Sequence, residues 1–351
     1  MNIIFRADAN QNIGMGHIMR CLSIADIFKK KCNSVTFVTS DECVSSYIHG
    51  RGYKTVILNT CYKNMEGELN IWPDTSGVDI IVVDSYYVTA EYLSSLKSKA
   101  KLAYIDDTSD FPYNVDVLVN YNAYASNDMY EALYMNSNIK FPKLILGSQY
   151  APLRGMFSGI ERKKQGKIVK DVLISTGGSD ELHVSLAIIH ELVKNNRSDI
   201  KFHFLLGSMN NDKREIYSLS TKTDNIIIHE NVVEMKKLIC DMDIVVSASG
   251  STLYEICACG VPLITYSMAD NQMPGAEAFG KIGLAVNIGD IRDKNTLNYG
   301  MNGLDIISIN KIINAVYVLA LDYDKRRDMG ILMQNMVDGN GAERIVNELI
   351  C

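Results

Sequence analysis

Short apolar runs alternate with amphipathic stretches along almost the whole chain, and this alternation confines it to one class of fold. "NIIFRAD" reads as a strand. "GHIMRCLSIADIFKKK" has apolar residues at helical spacing and ends in basic residues, which suit a helix C-terminus. "SVTFVTS", "KTVIL", "DIIVVDS" (79–85), "KLAYIDD" and "DVLVNYN" continue the series. Apolar runs of this kind, separated by helices, predict βαβ units and a parallel sheet covered on both faces.

The pattern breaks at "GSQYAPLRGMFSGIERKKQGKIVK", which holds a proline, several glycines and a basic run. Residues 152–169 read as a linker between an N-terminal domain, 1–151, and a C-terminal domain, 170–351. The second domain repeats the alternation in "DVLISTGGSD", "IKFHFLLGS", "NIIIHEN", "DIVVSASGS" and "VPLITYS", and closes with helices. A chain of 351 residues is too long for one core. The expected fold is α/β, with two doubly wound, Rossmann-like domains facing a cleft and the last helix free to pack back on the N-terminal domain. In such sheets ligands sit beyond the carboxyl ends of the strands.

Composition narrows the function. A net charge of −6 argues against a nucleic-acid partner, which needs a basic face. No run of about 18 apolar residues predicts a membrane span, and "MNIIFRAD" lacks the features of a signal peptide, so a cytoplasmic protein is expected. The eight cysteines, at 21, 32, 43, 61, 240, 257, 259 and 351, read as free thiols. No metal or other cofactor is expected, because the histidines at 17, 49, 183, 190, 203 and 229 show no ligand spacing.

Three loops could carry chemistry. In "STGGSD", Gly177 and Gly178 let the backbone approach a ligand, and N–H groups at a following helix start favour a phosphate. A plain turn with Ser179 or Asp180 as N-cap explains the same residues. In "SASGSTLYE", Ser249, Gly250, Ser251 and Thr252 could surround a diphosphate, and Glu255 one turn later could bind a ribose; Ser251 or Thr252 with Glu255 also has capping-box spacing. Asp270, Asn271 and Gln272 form a polar knot between apolar elements. The third loop, "NIGMGHIMRC", leads from strand to helix. Gly14 and Gly16 keep bulk away, and His17 falls near the first helical turn, where the positive dipole end disfavours imidazolium and keeps a neutral base available. Gly-x-Gly-His lacks the third glycine and the distant acid of a dinucleotide fingerprint. Asp8, Asp84 and Asp106–Asp107 end strands at the same predicted sheet edge, beside Arg6 and Arg20.

Taken in order, "FRADANQNIGMGHIMRCLSIA", "VVDSYYV", "IDD", "NYNAYA", "GSQYAPLR", "STGGSD", "SASGSTLYE" and "DNQ" resemble the UDP-2,4-diacetamido-2,4,6-trideoxy-β-L-altropyranose hydrolases of pseudaminic acid biosynthesis. That family is similar to GT-B glycosyltransferases of the MurG kind, with water as acceptor. The resemblance covers residues 1 to about 290; beyond it, "DGNGAERIV" is typical of longer members. It implies that His17 is catalytic, that Tyr86 of "DSY" serves the sugar site, that Gly177, Gly178 and Glu255 bind the nucleotide, and that Asn271 and Gln272 lie near the diphosphate or sugar. Arg6, Asp8, Gly14, Gly16, Arg20, Asp84, Asp106 and Asn122 complete the expected sugar side. Some members carry a Met before the glycine pair, and a His can stand where Ser85 does. The expected activity is hydrolysis of a UDP-linked amino sugar. The rivals are a glycosyltransferase with a sugar or lipid acceptor, for which "IFKKKC" is a small candidate membrane patch, and a non-catalytic nucleotide-sugar sensor.

Overall fold

The computed structural model describes residues 1–10, 13–31, 34–195, 199–293 and 303–351. Cys32 and the Gln11–Asn12 part of the first loop lie outside the described residues. The chain divides into two compact units, Met1–Ser158 with Gly339–Cys351, and Gly159–Asp338.

The first unit is built on seven parallel strands: β1 (Asn2–Ala7), β2 (Ser34–Thr39), β3 (Lys54–Ile57), β4 (Ile80–Asp84), β5 (Lys101–Ile105), β6 (Val117–Asn120) and β7 (Lys143–Leu146). Their order is β3-β2-β1-β4-β5-β6-β7. The chain runs outward from β1 to β3 and then returns to place β4 on the other side of β1. The loops after β1 and β4 therefore diverge, and Ala7 pairs with Asp84 at that point. β4 is buried along its whole length, as expected for a strand covered on both faces.

The second unit repeats the plan with six parallel strands: β8 (Asp171–Ser175), β9 (Lys201–Leu206), β10 (Ile226–Glu230), β11 (Ile244–Ala248), β12 (Leu263–Ser267) and β13 (Val286–Asp290), in the order β10-β9-β8-β11-β12-β13. Its switch point lies between β8 and β11. Both sheets bury Val, Ile and Leu against helices on either side.

The segment expected to be a linker, 152–169, is instead divided between the units. Phe157 is buried, and Ser158 Oγ donates to Asn340 Oδ1 at 2.5 Å in the first unit. In the second, Lys163 Nζ donates to the carbonyl of Met242 at 2.6 Å and Gln165 Nε2 to that of Gly260 at 2.8 Å. The last helix, Gly341–Ile350, packs on the helix Gly16–Phe28, and Lys31 and Lys101 donate to Asn347 and to the carbonyl of Leu349 at 2.7 Å each. Glycine is required where the chain re-enters: a Cβ on Gly339, at φ +80°, would lie 2.0 Å from the carbonyl oxygen of Phe157, and one on Gly341 2.2 Å from that of Ala151. Cys21, Cys43, Cys61, Cys240, Cys257, Cys259 and Cys351 are free thiols. Among the described residues no single helix is long and apolar enough to cross a membrane.

Candidate active site

His17 lies one residue into the helix Gly16–Phe28, and the loop before it closes tightly: Gly14, at φ +68°, donates its N–H to the carbonyl of Asn10 at 2.8 Å. The bend carries the chain from β1 into a helix whose first turn faces the end of β4. There the imidazole Nδ1 sits 2.5 Å from Asp84 Oδ1. Asp84 also accepts from Arg20 Nε and Nη2, both at 2.5 Å. Arg20 reaches further, donating Nη1 to the Tyr121 hydroxyl at 2.8 Å and pairing Nη2 with Asp107 at 2.8 Å. The ring of Tyr86 stands edge-on to His17 with centroids 4.5 Å apart.

Burial works to raise Asp84, but the charge of Arg20 and the hydrogen bonds from Arg20 and His17 outweigh it and hold the carboxyl below its ordinary range. Burial also opposes the charge on Arg20, and Asp107 and Asp84 more than restore it. Tyr121 is pushed up to about 12 by burial, against Arg20 and with Asp107. An ionised Asp84 bound at Nδ1 fixes the tautomer, because the acceptor draws the ring proton to that nitrogen. Nε2 is then the basic atom, and it has no partner among the described residues. His17, Asp8, Asp84 and Tyr86 line one small recess.

Other expected sugar-side residues are placed differently. Arg6 is fully buried; its fork binds both oxygens of Glu68 and, through Nη1, Asp8 at 2.5 Å. Glu68 further accepts from Tyr92 Oη at 3.0 Å and Thr60 Oγ1 at 3.2 Å. Asp8 accepts the N–H of Ser40 at 2.7 Å. Arg6 is thus committed to holding the β1 end, not exposed to a ligand. Asp106, expected on the sugar side, is likewise taken up within the fold: it is buried and accepts from the N–H groups of Thr108 and Ser109 and the hydroxyls of Tyr113 and Tyr130. Its neighbour Asp107 takes Arg20, Tyr86 Oη at 3.3 Å and Asn122 Nδ2 at 2.9 Å. Gly16 is exposed, with open space where a Cβ would be. The sequence singles out neither Glu68 nor Tyr121, and it marks Asp107 only as the neighbour of Asp106. "NYNAYA" draws attention to the stretch containing Tyr121, whereas nothing in "NMEGELN" marks Glu68 as a partner 62 residues from Arg6.

In the second unit the two glycine- and serine-rich loops stand at the switch point. Gly177, at φ +91°, turns the chain after β8. The loop after β9 packs on it so closely that a Cβ on Gly207 would lie 2.1 Å from the carbonyl oxygen of Gly178. Asp180 is the cap, with carboxylate oxygens accepting from Val184 and Ser185 N–H at 2.9 Å each; the helix it serves, Val184–Asn195, begins later than the glycine pair suggests. After β11, Ser249 and Gly250 lead to Ser251, the N-cap of the helix Thr252–Cys259, whose side chain makes no capping bond. The capping-box explanation for Ser251 therefore does not hold. Glu255 is half-buried in that helix. Of the polar knot, Asp270 pairs with Arg292 at 2.6 Å, Gln272 Oε1 accepts from Met268 N–H at 3.0 Å, and Asn271 is exposed.

Comparison with known proteins adds to this geometry. Residues 148–296 match the glycosyltransferase family 28 C-terminal domain. An uncharacterised protein of Methanocaldococcus jannaschii is 25% identical over 75% of this chain, which spans 55% of that protein's length. The spore coat polysaccharide biosynthesis protein SpsG of Bacillus subtilis is 23% identical, covering 98% of this chain and 96% of its own. The UDP-2,4-diacetamido-2,4,6-trideoxy-β-L-altropyranose hydrolase of Campylobacter jejuni is 28% identical over 67% of this chain and 81% of its own. Among solved structures, MurG of Acinetobacter baumannii superposes with a TM-score of 0.64 at 11% identity, over 100% of this chain and 99% of that one. Fold and match together describe a two-domain, Rossmann-like α/β protein of GT-B architecture, with residues 148–296 similar to the family 28 C-terminal domain.

Proposed function

We propose that the protein hydrolyses a UDP-linked 2,4-diacetamido-2,4,6-trideoxyhexose to the free sugar and UDP, in pseudaminic (nonulosonic) acid biosynthesis. The observation that carries the reading is His17: Nδ1 is held by Asp84, and Nε2 is unpartnered among the described residues, beside a recess at the switch point. The name of the Campylobacter jejuni relative supports the substrate class. In this reading a water oxygen bonds to the anomeric carbon from the face opposite UDP. The bond from that carbon to the diphosphate oxygen breaks, its electron pair leaving with UDP, and the water proton passes to His17 Nε2. The sugar inverts. Asp84 stabilises the imidazolium, while Asp8, Arg20, Tyr86 and Asn122 belong to the sugar side. The nucleotide is assigned to Gly177, Gly178, residues 249–252 and Glu255, with Asn271 and Gln272 nearby; backbone N–H groups stabilise the departing diphosphate.

The match to the family 28 C-terminal domain and the likeness to MurG favour a second reading, a glycosyltransferase that passes the sugar to a sugar or lipid acceptor. One experiment separates them. Purified protein is incubated with a panel of UDP-sugars, without acceptor and with EDTA, and UDP and free sugar are followed by NMR. Release of UDP with an inverted free sugar is expected. Release only after an acceptor is added makes the protein a transferase, and tight binding without turnover makes it a sensor.

A further inference from the structure

We propose that Asp107 is a positioning residue that closes a ring of contacts around His17 and holds Tyr86 against the imidazole. This role rests on His17 being the base. Two neighbouring acids divide the labour: Asp106 is consumed by backbone N–H groups and buried tyrosines, whereas Asp107 turns to the cluster. The contacts run in a circuit. His17 Nδ1 meets Asp84, Asp84 binds Arg20, Arg20 pairs with Asp107, Asp107 accepts the Tyr86 hydroxyl, and the Tyr86 ring returns to the edge of His17. Asp107 is itself fixed from outside the circuit, by Asn122 Nδ2 at its carboxylate and by Tyr124 Oη at its carbonyl, 2.8 Å away.

The arrangement acts in two ways. The circuit holds two carboxylates and one guanidinium around a neutral imidazole, so it carries one excess negative charge. Proton transfer to His17 neutralises that excess in a setting where Asp84 and Arg20 are almost entirely shielded from water. Asp107 supplies the excess charge without touching the reacting atoms. It is also the only hydrogen-bond acceptor among the described residues for the hydroxyl of Tyr86, a side chain that is otherwise partly exposed. Without Asp107 the Tyr86 ring loses its tether, and His17 is held from one side only.

The test uses Asp107→Asn and, because a half-buried, paired charge is lost there, Tyr86→Phe, which cuts the same bond from its exposed end. Both are compared with wild type for kcat, for UDP affinity by calorimetry, and for the rate at which diethyl pyrocarbonate carbethoxylates His17. That rate is read by mass spectrometry, with the exposed His49 and His190 as internal standards. Asp107→Asn is expected to lower kcat by up to about 100-fold, leave UDP affinity unchanged, and label His17 severalfold faster with the two standards unchanged. The double variant is expected to be no slower than the slower single one, since both act through one contact. Labelling of His17 at the wild-type rate in both single variants overturns the proposal, as does a double variant whose loss is the product of the two. If wild type releases no UDP from any UDP-sugar, the hydrolase reading falls, and the labelling rates still decide whether Asp107 positions His17.

Discussion

The two switch points of this protein share a topology and differ in almost everything chemical. In the first unit, around the ends of β1 and β4, strands, helix and loops carry ionised side chains locked into one another: Arg6 with Glu68 and Asp8, and Arg20 with Asp84 and Asp107. In the second, between β8 and β11, the loops are glycine and serine, and the conspicuous buried acid, Asp180, is spent on capping a helix. The contrast shows what each crevice is equipped to do. Buried charges survive only when paired, so a crevice built from them is a rigid frame that can aim one imidazole nitrogen. Loops of small residues offer backbone N–H groups and little else, which suits an anion such as a diphosphate.

That contrast can be broken by experiment. The largest expected effect belongs to His17. His17→Asn should lower kcat by about two to four powers of ten while UDP affinity, assigned to the other unit, stays as it was. Near wild-type turnover would make His17 structural and shift the search to Asp8 and Asp84. Next comes the frame. Glu68→Ala leaves the fully buried Arg6 with Asp8 as its one charged partner among the described residues, and should cost the first unit about 3 to 5 kcal/mol. The chain's single tryptophan, Trp72, belongs to this unit and lies 5.8 Å from the ring of Tyr92, itself bonded to Glu68. Its fluorescence therefore follows this unit in urea, and an unchanged midpoint would refute the frame.

Smaller effects sharpen the second unit. Glu255→Ala should weaken UDP binding by about 1 to 3 kcal/mol, the scale of a charge-assisted hydrogen bond. A loss of thermal stability with intact UDP affinity would instead make Glu255 a helix residue. Ser251→Ala should change stability by less than about 0.5 kcal/mol, because its side chain makes no capping bond; a larger fall by calorimetry would contradict the cap geometry. Acid gives a further contrast. Asp84 is held below its ordinary value, so its contribution is complete above the unfolded value of about 3.9 and is lost as pH falls through the lower folded one. The urea midpoint followed by Trp72 should therefore drop below about pH 4, and less steeply in Asp84→Asn. An identical acid profile in the two proteins would count against the His17–Asp84–Arg20 pairing.

Much of this is legible in the sequence because the signals are local. Apolar runs ending in Asp, Ser or Gly mark strand ends, and strand ends of a doubly wound sheet converge, so His17, Asp84 and Arg20 can be grouped without coordinates. Direction and distance are not legible. Neighbouring Asp106 and Asp107 look equivalent in "IDD", yet one turns to buried tyrosines and the other to Arg20. Arg6 looks like a ligand-binding cation because its partner Glu68 lies in a loop with no periodicity. A cap at Asp180 fits the sequence, but the glycine pair before it hides the helix start at Val184. The basic, glycine-containing stretch 152–169 has the composition of a linker. It is divided between two folded units all the same, because its backbone and side-chain polar groups find partners in both.

The return of residues 339–351 to the first unit has a consequence for the order of assembly. The second unit is contiguous, and every residue it needs has been synthesised once position 338 is made. The first unit starts earlier and finishes later, because the helix Gly341–Ile350 is missing from it until the chain re-enters through Gly339 and Gly341. Until then the helix Gly16–Phe28 lacks its neighbour, and Lys31, Lys101 and Lys143 lack the partners they find at Asn347, Leu349 and Glu348. On a ribosome adding about 5 to 20 residues each second, the first unit therefore waits roughly 10 to 40 seconds with one helix face uncovered while the second unit and then its own last helix are made. The N-terminal half is begun first and closed last.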